Sequence, residues 1–412
     1  MRILHLTPHL PYAPGGHGGA TRQFHLLRRL VERGHEVTVV VPVTAEQREL
    51  VALPRAEGIR VEAINRPRSR VAETLALLGR EPSLVPRAAV WPLHAWQLAV
   101  LWQELRPAVR RLLAERSPDL VSAEHDVAAS WIADLPRELP TLLTLENVTS
   151  DYYAARAAAA QGAATRWFAL ETRRADRYAR AWLPRWRTLV CVSDEDAASL
   201  RRRYGVDART IANGVDLDAF PPVADEPTGP PTLLFTGTMN YAPNVEGICW
   251  FVAEAWPAVR ARRPEARLRI VGRDPTEAVR RLANAPGVEV TGAVPDVAPH
   301  FRDAHLVVVP LRSGGGTRLK ILEAASAGRA IVSTPRGAEG LAVEDDRELV
   351  LAQTAPQFAA AVVELLDDPV RRTRLGRAAR ALAERHDWHA LGDELEQVAL
   401  ETAAAQPRTS SP

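Results

Sequence analysis

The 412-residue chain contains 52 lysine and arginine residues, and only one of them, Lys320, is a lysine. It has two cysteines, and aromatic residues make up 6% of it. Cys191 and Cys249 form neither a metal-ligand spacing nor a disulfide framework, so no thiolate metal centre or cross-linked secreted scaffold is expected. Cys191 lies in the apolar run TLVCVS, the setting of a buried, inert thiol. An excess of one charge is also lacking. The formal net charge is +2, which supplies no field for nucleic acid. No run of 18 apolar residues occurs. The nearest, AAVWPLHAWQLAVLW (88–102), carries Pro92, His94 and Gln97. The apolar part of the amino-terminal MRILHLTPHLPYAPGG is too short for a signal-peptide core. A cytoplasmic location is therefore expected.

What is present is an alternation of strands and helices. Hydrophobic residues make up 46% of the chain and charged residues 25%, and its length suits two or three domains. RILHL (2–6) reads as a strand before a glycine loop, and ATRQFHLLRRLVERG (20–34) as a helix with Ala20, Phe24, Leu27 and Val31 on one face and Gly34 as its C-cap. HEVTVVVP (35–42) reads as a strand buried on both faces. Further strands are expected at 118–122, 140–145 and 188–192. The proline-rich AFPPVADEPTGPP (219–231) ends this series, with the linker proper at 223–231. The alternation restarts with strands at 232–235, 268–272, 288–292, 306–310 and 330–334, then a helical stretch over 355–385 and a last helix before a polar tail. The fold class is α/β: two Rossmann-like domains, 1–222 and 232–386, with parallel sheets facing across a cleft. A final helix over 387–405 and a disordered tail over 406–412 complete the expected organisation.

The densest motif is SGGGTRLKILEAASAG (313–328), read as a glycine loop opening a helix from Thr317 to Ala327, with Leu319, Leu322 and Ala325/Ser326 on its buried side. Gly314, Gly315 and Gly316 allow a ligand close to the backbone. Free N–H groups and the positive end of the helix dipole favour an anion there. Arg318 and Lys320 oppose that dipole, so helix stability alone does not select them, whereas an anionic ligand does. Glu323, one turn further on, can reach hydroxyls of the same ligand.

This stretch resembles the donor-site motif of retaining glycosyltransferases of family 4, which have the GT-B fold. That family carries Glu-x7-Glu, and Glu323 in LEAASAGRAIVST matches the second member, which holds the ribose of a sugar nucleotide. The first member falls at Gly315, as in a branch reading Gly-Gly-Thr-Arg-x-Lys. GGHGGATRQFHLLRRLVERGHEVTVVV is similar to the family's amino-terminal glycine loop, which implies that Gly16 and Gly19 approach the donor diphosphate. CVSDEDAASLRRRYGVDARTIANGVDLDAF resembles the segment ending the first domain and brings in Asn213. TLLFTGTMNYAPNVEGICWF stands where many members have diphosphate-binding Arg and Lys, and offers Gly237, Thr238, Met239 and Glu246 instead. With no cation there, Arg318 and Lys320 are left to carry the diphosphate charge. His125 in DLVSAEHDVAAS matches a histidine near the reacting sugar. Glu146 and Asn147 replace a more usual His-Asn, with acceptor binding or a local cap as the alternatives.

The resemblance implies a retaining hexosyltransferase that moves a sugar from a nucleotide-sugar donor to a glycan, lipid-linked or small-molecule acceptor, as in polysaccharide biosynthesis. His125, Arg318 and Lys320 would be its catalytic residues, and the last helix would return to the first domain. It needs no cofactor beyond the donor, and no metal where protein cations supply the charge. DED (194–196) reads as a first helical turn capped by Ser193 and DLD (216–218) as a loop, rather than as metal-binding Asp-x-Asp. The basic, aromatic TRWFALETRRADRYARAWLPRWR (165–187) reads as a solvated helix with its aromatics turned inward, with peripheral membrane contact as its alternative. Two rival functions use the same fold. A noncatalytic sugar-nucleotide binder fits the missing cations at 238–246, and a sugar-nucleotide epimerase would need carboxylates around the sugar.

Overall fold

Apolar strands spaced by amphipathic helices give two wholly parallel sheets in a computed structural model that describes residues 1–13, 18–66, 83–223, 227–313 and 319–405. The first sheet contains β1 (Arg2–Leu6), β2 (Glu36–Val43), β3 (Arg60–Asn65), β4 (Leu120–Glu124), β5 (Thr141–Leu145), β6 (Thr188–Cys191) and β7 (Arg209–Thr210), in the order β3-β2-β1-β4-β5-β6-β7. The second contains β8 (Thr232–Thr236), β9 (Arg267–Val271), β10 (Val288–Gly292), β11 (Leu306–Val309), β12 (Ala330–Ser333) and β13 (Val350–Leu351), in the order β10-β9-β8-β11-β12-β13. Both follow doubly wound topology, with the direction of winding reversing beside the first strand. The reversal lies between β1 and β4 in one sheet and between β8 and β11 in the other. Strands β4, β5 and β8 are buried at every position, as helices on both faces of a parallel sheet require.

The chain forms two compact units, Met1–Ala212 with Leu391–Pro412, and Asn213–Ala390. The division falls ahead of the expected boundary at 222. Val215 bridges to Asp387, and its N–H donates to the His386 carbonyl at 2.8 Å. Ser326 Oγ donates to the Phe220 carbonyl at 2.7 Å, and Val223 N–H to the Ala327 carbonyl at 3.2 Å. These bonds fasten residues 215–223 to the second unit.

The final helix, Trp388–Ala404, joins the first unit through charged contacts with the helix Gly18–Glu32 and the turn after it. Arg29 grips both oxygens of Asp393 at 2.7 and 3.0 Å, and His35 Nε2 lies 2.9 Å from Glu396. The helical stretch expected over 355–385 is two helices, Ala355–Asp367 and Pro369–Glu384. Asp368 caps the second by accepting from Arg371 N–H at 2.9 Å, and Pro369 at its start cannot continue the first. The acidic triplet at 194–196 opens the helix Asp194–Tyr204, with Ser193 as its cap. Asp216 turns its carboxylate onto the N–H groups of Asp218 and Ala219, as a loop residue does. In the basic, aromatic helix Tyr178 is buried as expected, whereas Trp167 is 45% exposed.

Candidate functional site

In the second unit the winding reversal gathers the ends of β8 and β11. β8 ends in Phe235-Thr236, and the chain then passes Gly237 and Thr238 into the helix Ala242–Trp250. β11 leads through Pro310 toward the glycine loop, and the helix Leu319–Ser326 follows. Lys320 lies at the start of that helix. Its ammonium donates to Asn244 Oδ1 at 2.8 Å and sits 4.1 Å from the centroid of the Phe235 ring. Asn244 in turn donates from Nδ2 to the Thr238 carbonyl at 3.0 Å. A Cβ on Gly237, whose φ is +149°, would lie 2.7 Å from Asn244 Nδ2 and 3.0 Å from Lys320 Nζ. Bare backbone at 237 is thus what admits the amide and the ammonium.

Tight backbone approach continues one strand over. A Cβ on Gly272 would lie 1.6 Å from the Gly237 carbonyl oxygen, which no side-chain adjustment relieves. Gly272→Ala should therefore destabilise the protein by roughly 3 kcal/mol through backbone displacement. Urea titration checks this, and a variant within 0.5 kcal/mol of the parent would contradict the packing at the ends of β8 and β9.

Glu323 is half-buried one turn beyond Lys320. Burial pushes its carboxyl up to about 7, against a smaller downward pull from Lys320. Glu246, in the stretch that lacks the family's cations, accepts from Ser313 Oγ at 2.5 Å. The chemistry available here is a half-buried cation held by a polar side chain, followed by a carboxyl able to accept from hydroxyls.

In the first unit the reversal gathers a second group. His125 follows β4 in the left-handed region, with φ +73°, a conformation that costs a non-glycine residue energy and recurs at functional sites. Its N–H donates to the Thr144 carbonyl at 2.8 Å, and its carbonyl accepts from Ala128 at 3.0 Å. The imidazole meets the His9 ring edge-on at 5.4 Å, and Nδ1 lies 4.0 Å from Glu146 Oε2. Glu146 Oε1 accepts from Gln23 Nε2 at 3.4 Å, and Gln23 Oε1 accepts from Thr7 at 2.8 Å. Gly19 makes room, since a Cβ there would fall 2.3 Å from Glu146 Oε1.

Beneath this group, burial and the neighbouring Glu146 push Glu124 well above the usual carboxylate range, against the pull of Arg22. Arg22 is buried and donates to the carbonyls of Ile211 and Ala212 at 2.8 and 2.6 Å. Asp126 accepts from Thr149 N–H and Oγ1 at 2.8 and 2.7 Å.

Of the residues singled out in the sequence, Gly237, Thr238 and Lys320 come together and Glu323 follows on the same helix. Leu319, expected on the buried side of that helix, is half-exposed, while Ile321 and Ala324 join Leu322 in the core. His125 and Gly19 meet through Glu146. Asn213 is the first residue of the second unit. Gly16, Gly314, Gly315, Gly316, Thr317 and Arg318 lie outside the described residues, as does the tail over 406–412. Asn244 and Phe235, which fix the ammonium, carried no sequence signal beyond proximity to Gly237. Among the described residues no group of three or more His, Cys, Asp and Glu side chains is arranged to hold a metal ion.

Residues 16–219 match the family model described as Glycosyltransferase Family 4, and residues 230–368 match Glycosyl transferases group 1. A phosphatidyl-myo-inositol mannosyltransferase of Mycolicibacterium smegmatis is 31% identical over 220 residues, covering 51% of this chain and 56% of that protein. A D-inositol 3-phosphate glycosyltransferase of Catenulispora acidiphila is 32% identical over 234 residues, covering 49% and 53%. The chain thus spans about half the length of these curated relatives. A glycogen synthase of Mycobacterium tuberculosis is 28% identical over 328 residues, covering 74% and 75%. Among solved structures, a sucrose-phosphate synthase from Thermosynechococcus elongatus superposes with a TM-score of 0.72 at 20% identity, covering 98% of this chain and 100% of that one. Anabaena HepE in complex with UDP and glucose superposes with a TM-score of 0.66 at 15% identity, covering 97% and 100%.

Proposed function

Because the chain belongs to the GT-B glycosyltransferases, we propose that it moves a hexose from a nucleotide sugar to a glycan, lipid-linked or small-molecule acceptor, with retention at the anomeric carbon. The observation that carries this reading is the ammonium of Lys320, held by Asn244 and Phe235 against bare backbone at Gly237. In this reading the leaving diphosphate rests on Lys320, Arg318 and the backbone N–H groups of the glycine loop. The Lys320 charge is in place before the reaction, so it stabilises the developing negative charge without reorganising. Glu323 accepts from the ribose hydroxyls, the second unit takes the nucleotide and the first takes the acceptor.

Relatives that include a phosphatidyl-myo-inositol mannosyltransferase and a D-inositol 3-phosphate glycosyltransferase, and a structural neighbour solved with UDP and glucose, support this reading. A cytoplasmic site of action with peripheral membrane contact belongs to the same proposal. No helix among the described residues is long and apolar enough to cross a membrane.

The test is turnover of labelled UDP-, GDP-, ADP- and dTDP-hexoses with a panel of acceptors, reading released nucleoside diphosphate and the anomer of the product. Release accompanied by a retained anomer is expected. A donor that binds without turnover on any acceptor would favour a noncatalytic binder, and an inverted anomer would overturn retention. Protein cations neutralise the diphosphate in this scheme, so activity should survive EDTA with a small loss at most. A collapse restored by manganese or magnesium would show that a metal carries that charge.

A further inference from the structure

The first unit holds a second cluster, around the histidine that the resemblance sets near the reacting sugar. His125 Nε2 is buried and has no hydrogen-bond partner among the described residues. Its other ring nitrogen, Nδ1, faces the carboxylate of Glu146 at 4.0 Å. The main chain of His125 is pinned on both sides, through the Thr144 carbonyl and the Ala128 N–H. Glu146 is held independently, by Gln23 on one oxygen and by the space that Gly19 leaves beside both. Glu124, the other carboxyl of the cluster, is fully buried against Arg22, whereas Glu146 keeps 17% of its side chain exposed.

An unpaired buried ring nitrogen costs free energy unless a ligand pairs with it. Which role it can play depends on where the imidazole proton sits, and the group opposite the other nitrogen sets that. A carboxylate facing Nδ1 favours the proton on Nδ1 and leaves Nε2 with a lone pair. The 4.0 Å separation is longer than a hydrogen bond, and contacts of this kind are often long before a ligand arrives and tighten on binding.

Resting on the glycosyltransferase reading above, we propose that Glu146 is a positioning residue that holds His125 as the Nδ1–H tautomer, so that Nε2 accepts a hydrogen bond from a sugar hydroxyl. The residue that stands in place of the family's more usual histidine thereby sets the polarity of the histidine one strand away.

The experiment is nitrogen-15 NMR of His125 in the full chain, assigned by its loss in His125→Gln, at a pH where the imidazole is neutral. The parent should show the proton on Nδ1. Glu146→Ala should move the population toward Nε2–H, and Glu146→Gln, whose side-chain carbonyl can still accept, should restore the parent pattern. In kinetics, Glu146→Ala should lower kcat/KM roughly tenfold, the worth of one hydrogen bond, with Glu146→Gln recovering most of it. A parent imidazole protonated on Nε2, or a tautomer indifferent to Glu146→Ala, would overturn the proposal. The spectrum is read without substrate, so a chain that transfers no sugar would defeat the functional reading and leave the tautomer result standing.

Discussion

Replacing Lys320 by methionine should lower turnover by roughly 10²–10³-fold, the usual cost of removing one preorganised charge from a transition state. Methionine keeps the stem and a polarizable contact with the Phe235 ring, which lies 4.1 Å from the ammonium, so packing changes little. What the fold loses is the 2.8 Å bond to Asn244, worth about 0.5–1.5 kcal/mol net. Removing a cation near the positive end of the helix Leu319–Ser326 offsets part of that. The melting temperature should therefore move by a few degrees at most while activity collapses. Lys320→Arg should recover only a fraction of the rate, because a planar guanidinium cannot take the place of a point charge between Asn244 and bare backbone at Gly237. Paired kinetics and melting curves decide the matter. Parent-like turnover in Lys320→Met would leave the single lysine without a role in transfer.

Glu323→Ala should weaken nucleotide affinity by about 1–3 kcal/mol, the cost of charge-assisted hydrogen bonds to the ribose. The pH dependence carries further information. Burial raises the carboxyl from 4.5 to about 7, so the folded protein holds this proton more tightly than the unfolded chain does. As pH rises from 4.5 toward 7, the unfolded chain ionises first, and this residue's contribution to stability falls by at most roughly 3 kcal/mol. Above 7 the contribution is flat. Glu323→Gln should lack that decline, which denaturant titrations at pH 5 and 8 would reveal. Nucleotide affinity has the opposite sign: the ionised form is the better acceptor, so parent affinity should weaken as pH drops below 7, and Glu323→Ala should lose that dependence. Calorimetry showing equal affinities in parent and variant at pH 8 would remove Glu323 from the site.

How much of this could be read from the chain alone follows from where its chemistry lies. The helix that carries Lys320 and Glu323 announces itself because its glycines, cations and buried face are contiguous. So do the central strands, whose unbroken apolar runs have few other uses. β3 went unread because it alternates on a half-exposed edge, and β7 and β13 because each is two residues long. Asn244 was invisible because its partner, Lys320, comes from a distant segment, and only the β8–β11 pairing brings them together. His125 and Glu146 could each be placed after a strand. That they face one another depends on β4 lying beside β5 in a register that pairs Glu124 with Thr144. The division after Ala212 leaves no trace in composition, because it reflects hydrogen bonds such as Ser326 to Phe220 that tie the following segment to the second unit.

Calorimetric titration of the parent, Lys320→Met and Glu323→Ala with UDP, GDP, ADP and dTDP tests most directly whether the β8–β11 reversal is a nucleotide diphosphate site. At least one nucleoside diphosphate should bind the parent, with affinity falling in both variants while their melting temperatures stay close to that of the parent. No binding of any nucleoside diphosphate to the parent, or unchanged affinity in both variants, would contradict it.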